Sequence, residues 1–115
     1  LPFFGCPTAG NCMFHWQGEL AAAKAAETYG TMYALSSLST TGFDDINSVL
    51  SPGRPKLFQL YVWKDRQIVS DILKEAKNAG FEGLALTADV SWVGNRERDP
   101  RNGFTVPPSY TFQQA

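Results

Sequence analysis

This chain is poor in the residues that announce metal or disulfide chemistry, with two cysteines and one histidine among 115 residues. Cys6 and Cys12 form no CxxC pair, and a disulfide framework needs more cysteines than this. They read as ordinary reduced thiols of a cytosolic protein. A zinc site usually takes four good ligands. His15 with two nearby thiols is too small a supply, so no metal is expected. No run approaches the roughly 18 consecutive apolar residues of a membrane-spanning helix. The start lacks the charged segment and apolar core of a secretory signal. It opens on Leu1 rather than methionine, so Leu1 is not expected to be the natural start. An excess of charge of one sign is also missing: a net charge of −1 leaves no broad basic surface for nucleic acid. What is present is the composition of a globular protein, 43% hydrophobic and 18% charged. The length suits one modest domain.

Strand and helix patterns alternate along the chain. LPFFGC reads as a strand, and the alanine-rich ELAAAKAAETYG, residues 19–30, as a helix closed by glycine. TMYALSS is the next strand. FDDINSVL is a short helix, with Thr40 or Thr41 as candidate cap and Asp44 and Asp45 near its positive end. SPGRP is a turn into a strand over 57–63. Residues 65–80 carry Ile68, Val69, Ile72, Leu73 and Ala76 at helical spacing. Asp65 is placed to cap that helix and Gly80 to end it in a left-handed turn. Leu84, Ala85 and Leu86 then form a short buried strand. Strand centres fall about 25 to 29 residues apart, the spacing of parallel strands joined by helical crossovers. Such a sheet buries both faces. An open doubly wound sheet and part of an eight-stranded barrel both fit. CPTAGNC, after the first strand, is no GxGxxG phosphate loop.

Each strand turns polar at its C-terminal end: at Pro7, Thr8 and Ala9, at Ser36 and Ser37, at Gln59 and Tyr61, and at Thr87 and Asp89. In FQLYVWKDR, residues 58–66, alternation sends Phe58, Leu60 and Val62 to one face. Gln59, Tyr61 and Trp63 go to the other. Thr87 and Asp89 likewise share a face. In a parallel barrel these ends share one rim, where such enzymes place their chemistry. Polar strand ends can also simply meet solvent. Four of them, with an amide and a phenol set inside a strand, favour a polar ligand site.

Six stretches, in order and covering nearly the whole chain, resemble the FMN-dependent α-hydroxy-acid oxidoreductases. They are PTAG (7–10), HWQGE (15–19), LSSLST (35–40), FQLYVWKDR (58–66), LTAD (86–89) and GNRERDPRNGF (94–104). The last is most similar to the bacterial L-lactate dehydrogenase-like branch. The resemblance implies an α/β fold, a (β/α)8 TIM barrel, here a partial barrel of about four parallel strands with three helices. It implies that residues 1–115 are the N-terminal half of that domain, stopping in the long loop after Asp89. It implies FMN as cofactor and a small 2-hydroxy acid as substrate, oxidised to the 2-oxo acid by a glycolate oxidase-like or L-lactate dehydrogenase-like reaction.

The resemblance also assigns roles. The backbone of Pro7, Thr8 and Ala9 lies against the flavin ring. Ser36 stands near its reactive nitrogen, and Gln59 and Thr87 hydrogen-bond its polar edge. Tyr61 and Arg96 touch the substrate, and Asp89 pairs with the catalytic histidine. That histidine and a substrate-gripping arginine belong to an SNHGxRQ-like motif that this sequence does not contain. The chain alone is therefore expected to be inactive. His15, in a segment matching HPxGE, reads as a local contact at a helix start. Leu38 stands where some relatives carry an aromatic that shapes the substrate pocket.

The implied location is cytoplasmic or peripheral to the inner membrane, and relatives often form tetramers. Two alternatives stay open. One is another FMN barrel, such as type 2 isopentenyl-diphosphate isomerase or an IMP dehydrogenase relative. The other is a non-catalytic half-barrel that binds a partner or flavin without turnover.

Overall fold

The computed structural model describes residues 2–90, 92 and 94–113. Three parallel strands form one sheet in the order β1 (Tyr33–Ser36), β2 (Lys56–Leu60), β3 (Gly83–Leu86). Helix α1 (Gly18–Thr28) precedes β1, α2 (Phe43–Val49) and α3 (Arg66–Asn78) separate the strands, and a short α4 (Arg98–Arg101) follows. The register pairs Leu35 with Phe58 and Ser36 with Gln59, then Phe58 with Leu84 and Gln59 with Ala85. Strand, helix, neighbouring parallel strand is the repeating unit of a barrel wall.

The core lies on the helix side of the sheet. Tyr33 and Leu35 of β1 and Phe58 and Leu60 of β2 pack there with Ala23, Ala26, Phe43, Ile46, Ile72, Ala76 and Phe81. Phe43, Phe58 and Phe81 meet edge to face, with centroids 5.3 to 6.3 Å apart, an arrangement that aromatic quadrupoles favour. The termini of α3 follow the sequence closely. The Asp65 carboxylate accepts from the Gln67 amide at 2.8 Å. Gly80 takes the left-handed turn after α3 with φ of 78°. Replacing Asp65 by alanine is expected to cost about 1 kcal/mol, the usual worth of such a cap, read as a lower urea midpoint with an unchanged slope. Lys56, at the start of β2, holds the end of α3 from the other side. Its ammonium donates to Asn47 Oδ1 and, at 2.9 Å, to the Ala79 carbonyl. Partial burial lowers its pKa.

Several expectations need correction. The segment 1–6 makes no continuous strand: one parallel bridge, Gly5 to Tyr33, represents it, and Leu1 lies outside the described residues. The sheet thus has three strands rather than four. β3 is only half buried, with Leu84 at 51% and Leu86 at 61% exposure. Both lie on the Phe58 and Leu60 face, where the described residues cover them only in part. Alternation in FQLYVWKDR ends with the strand at Leu60, and Trp63 turns back to pack on the helix-side core. Helix α2 starts after Gly42 without a side-chain cap; the hydroxyls of Thr40 and Thr41 are engaged elsewhere, as shown below. The long final loop, expected to be irregular, contains α4.

Among the described residues, no helix is long and apolar enough to cross a membrane. Both cysteines are free.

Apart from the Gly5–Tyr33 bridge on β1, neither sheet edge carries a further strand among the described residues. At one, an apolar cavity of about 500 Å³ separates Phe3, Gly5 and Cys6 from Ala22, Ala25 and Tyr29 of α1. At the other, β3 shows its bare leucines. Open edges and apolar faces of this kind template association. The chain on its own is expected to elute as oligomers or aggregate in size-exclusion chromatography with light scattering. A clean monomer would contradict that expectation.

Candidate active site

The polar ends of the strands meet at one rim. Gln59, on the sheet face opposite Phe58, is 6% exposed. Its Oε1 accepts from Ser36 Oγ and from the Ser37 amide, both at 3.1 Å. Its Nε2 donates to Thr87 Oγ1 at 2.7 Å. One side chain thus ties the ends of β1, β2 and β3 together. Buried amides must be paired in this way, because an unpaired one costs its full desolvation. The flip of the amide is fixed by its surroundings: only an oxygen suits the Ser37 N–H.

Ser37 does a second job. Its hydroxyl donates to the Gln59 carbonyl at 2.6 Å and accepts from the Tyr61 amide at 3.0 Å. β1 has ended by this point, so a side chain replaces two ladder bonds and fixes the start of the segment that bears Tyr61. Replacing Ser37 by alanine would leave a buried carbonyl and an amide without partners. Each such loss costs about 1–3 kcal/mol, so a clear fall in thermal midpoint is expected for Ser37→Ala, together with faster amide exchange at Tyr61.

The segment after Gly5 forms the next wall. Thr8 and Ala9 are exposed and Pro7 is half-buried. The Gly10 amide donates to the Leu38 carbonyl at 2.9 Å, which joins this wall to the loop after β1. Between the two lies Glu19, from the first turn of α1 and fully buried. Its Oε1 accepts from the Asn11 amide, Asn11 Nδ2 and the Thr40 amide at 2.9 to 3.2 Å. Its Oε2 accepts from Thr40 Oγ1 at 2.7 Å and Thr41 Oγ1 at 2.8 Å. This is why neither threonine caps α2. The path is tight at Gly18, whose φ is 43° and where any Cβ would fall 2.4 Å from Cys12 Sγ.

Burial alone would raise the Glu19 pKa. The hydrogen bonds from Thr40 and Thr41 outweigh it and hold the carboxyl at about 2, against an ordinary 4.5. Burial, and then the Glu19 charge, push the neighbouring Tyr33 phenol up. A depressed carboxyl stabilises the fold fully above its unfolded pKa and loses that contribution as pH falls through the folded value. The contribution of Glu19 is therefore present above pH about 4.5 and lost on descent toward about 2. Acid titration of wild type and Glu19→Gln by circular dichroism should show the difference between them shrinking across that window.

The remaining expected site residues are less gathered. Tyr61 is half-buried beyond β2, and Thr87 half-buried beyond β3. Asp89 is exposed and, among the described residues, has no hydrogen-bond or ion-pair partner. Arg96 is also exposed and lines a recess of its own loop with Val90, Trp92 and Asp99. The structure does not bring it to the Gln59–Thr87 pair. His15 is a local contact, as expected: its Nδ1 accepts from the Gln17 amide and its ring stacks on Trp16. The apolar cavity behind the first segment lies on its α1 side and reaches Thr8. Among the described residues there is no cluster that could hold a metal.

A parallel sheet of this topology, with helical crossovers and a polar ladder across its C-terminal rim, is a wall of a β/α barrel. The chain belongs to the FMN-dependent dehydrogenase family, whose sequence profile it matches over residues 1–115. It is 45% identical over 108 residues to glycolate oxidase 3 of Oryza sativa subsp. indica, covering 94% of this chain and 29% of that protein. It is 44% identical over 110 residues to an L-lactate oxidase of a Nostoc species, covering 94% and 30%. The structure of mandelate oxidase with (S)-2-phenylpropionate superposes with a TM-score of 0.90 at 38% identity, covering all of this chain and 34% of that one. The chain therefore spans about 30% of the length of the curated relatives it matches. The fold is a partial (β/α)8 barrel.

Sequence reasoning missed Glu19 and the ladder role of Ser37. A serine on the core-facing parity of β1 was a signal for the second. Glu19 gave only a glutamate beside an alanine-rich apolar face.

Proposed function

We propose that this chain forms the N-terminal wall of the flavin site in an FMN-dependent (S)-2-hydroxy-acid oxidoreductase. The carrying observation is the Ser36–Gln59–Thr87 ladder across three parallel strand ends. Its donor set fits the cofactor. Among the described residues, Gln59 keeps one Nε2 proton and Thr87 its hydroxyl proton without an acceptor. The polar edge of a flavin ring offers carbonyl oxygens and ring nitrogens that accept such protons. Pro7, Thr8 and Ala9 would line the ring, and Ser36 its reactive side. Bound FMN supplies the two-electron acceptor, and the protein supplies orientation and electrostatics.

The chain's own residues have defined tasks. Tyr61, fixed through Ser37, presents a phenol to the substrate carboxylate or hydroxyl. Arg96 carries a planar cation suited to a carboxylate once its loop lies over the site. Asp89, free of partners within the described chain, is available to orient a basic imidazole. His15 is committed to the start of α1 and does not serve as that base. The substrate is a small 2-hydroxy acid, as the names of the oxidases that this chain resembles suggest.

The test is anaerobic mixing of the full-length protein with glycolate, L-lactate and (S)-mandelate. Bleaching of a bound flavin by at least one acid is expected. A flavin-free protein, or a flavin that none of them reduces, would overturn the reading.

A further inference from the structure

We propose that Glu19 is a positioning residue for the cofactor site: its carboxylate sets the 7–10 wall against the wall formed by residues 36–41. The inference rests on the functional reading above. Glu19 touches neither the ladder nor the strand ends, yet it lies between both walls. On one side Asn11 Nδ2 bridges Glu19 Oε1 and, at 2.8 Å, the Thr8 carbonyl. On the other, Thr40 and Thr41 bind the carboxylate through one amide and two hydroxyls. That turn leads back to the site by two short steps: the Ser39 amide donates to the Ser36 carbonyl at 3.1 Å, and the Leu38 amide to Ser36 Oγ at 3.1 Å.

A fully buried carboxylate without an ion-pair partner among the described residues is costly, and simple helix packing does not call for one. Its five N–H and O–H donors come from two loops of successive β/α units, separated by more than 25 residues. A helix-start glutamate serving the α1 dipole alone would not need to be buried. The charge state matters to the geometry. Thr40 Oγ1 accepts from the Cys12 amide at 3.1 Å, so its proton is committed to Glu19. A glutamine would turn an NH2 toward the two threonine hydroxyls and break this polarity, while keeping nearly the same volume.

The experiment uses the full-length protein as wild type, Glu19→Gln, Glu19→Ala and Lys56→Met. Lys56 anchors the opposite end of the sheet and provides a destabilised control. FMN dissociation constants are read by flavin fluorescence titration, and the bound flavin by its visible spectrum. Amide exchange of the flavin-free protein is followed at Asn11 and Thr40. Glu19→Gln is expected to weaken FMN binding by about tenfold, the equivalent of one lost hydrogen bond at the site. It should also shift the flavin spectrum and speed exchange at both amides. Lys56→Met should lower the thermal midpoint while leaving the FMN constant within about twofold, because its contacts lie at the far end of the sheet.

Should Glu19→Ala fail to fold, Glu19→Gln alone decides. An unchanged constant and spectrum in Glu19→Gln, with wild type binding FMN, would overturn the positioning role and leave the functional reading intact. Equal weakening in Glu19→Gln and Lys56→Met would also overturn it. A wild-type protein that binds no FMN would overturn both.

Discussion

Replacing Gln59 by leucine in the full-length protein is expected to weaken FMN binding by about 10- to 100-fold, the equivalent of one or two lost hydrogen bonds. Leucine keeps most of the volume but neither donor nor acceptor. The buried Ser37 amide loses the oxygen that it reaches at 3.1 Å, and Thr87 loses the donor at 2.7 Å that orients its hydroxyl. The orphaned amide alone costs about 1–3 kcal/mol of folding stability. The strand ends lose the link that holds them together, so the spare protons no longer converge. Gln59→Glu separates the two functions. Its carboxylate still accepts from Ser36 and Ser37, yet when ionised donates nothing to Thr87 or a flavin edge. Its stability should fall less than that of the leucine variant, while FMN affinity falls as far. Fluorescence titration and urea unfolding, run on the same preparations, check both statements. Leucine and wild type binding FMN equally would remove Gln59 from the site.

The second large effect lies in the core. Phe58 is 1% exposed and meets Phe43 of α2 and Phe81 before β3 edge to face. Phe58→Ala removes the ring that joins two β/α units and leaves a cavity. Such truncations typically cost about 3–5 kcal/mol, a large part of the roughly 5–15 kcal/mol by which domains are stable. The full-length variant is expected to unfold at much lower urea. At moderate temperature its FMN affinity should follow the folded fraction, because Phe58 faces away from the rim. Phe58→Leu, which keeps more volume, should recover a good part of the loss. A urea midpoint for Phe58→Ala within error of wild type would show that the aromatic cluster is not the core it looks to be.

The repeating units were legible from periodicity because their signals are local. Ile68, Val69, Ile72, Leu73 and Ala76 mark one face of α3 within three turns, and Asp65 and Gly80 bracket it. The parity of Gln59 was legible for the same reason, since alternation needs only neighbours. Contacts between units were not. Glu19 draws donors from positions 11, 40 and 41, and no spacing within the α1 sequence encodes that convergence. Thr40 and Thr41 looked like caps because they precede a helix, but a buried anion in the preceding unit takes their hydroxyls instead. The exposure of Leu84 and Leu86 was hidden for a different reason. A run of apolar residues states that a strand is suited to burial, not that a covering helix is at hand.

The serine at the end of β1 has a consequence for the shape of the mouth. Ladder bonds hold adjacent strands at a spacing of about 4.8 Å, and they leave no room for adjustment. At Ser37 a hydroxymethyl group spans the gap instead, donating to the Gln59 carbonyl and accepting from the Tyr61 amide. The opening between these two staves is therefore gauged by the length of one short side chain. A single change of residue there would alter that gauge, at the stability cost expected for Ser37→Ala.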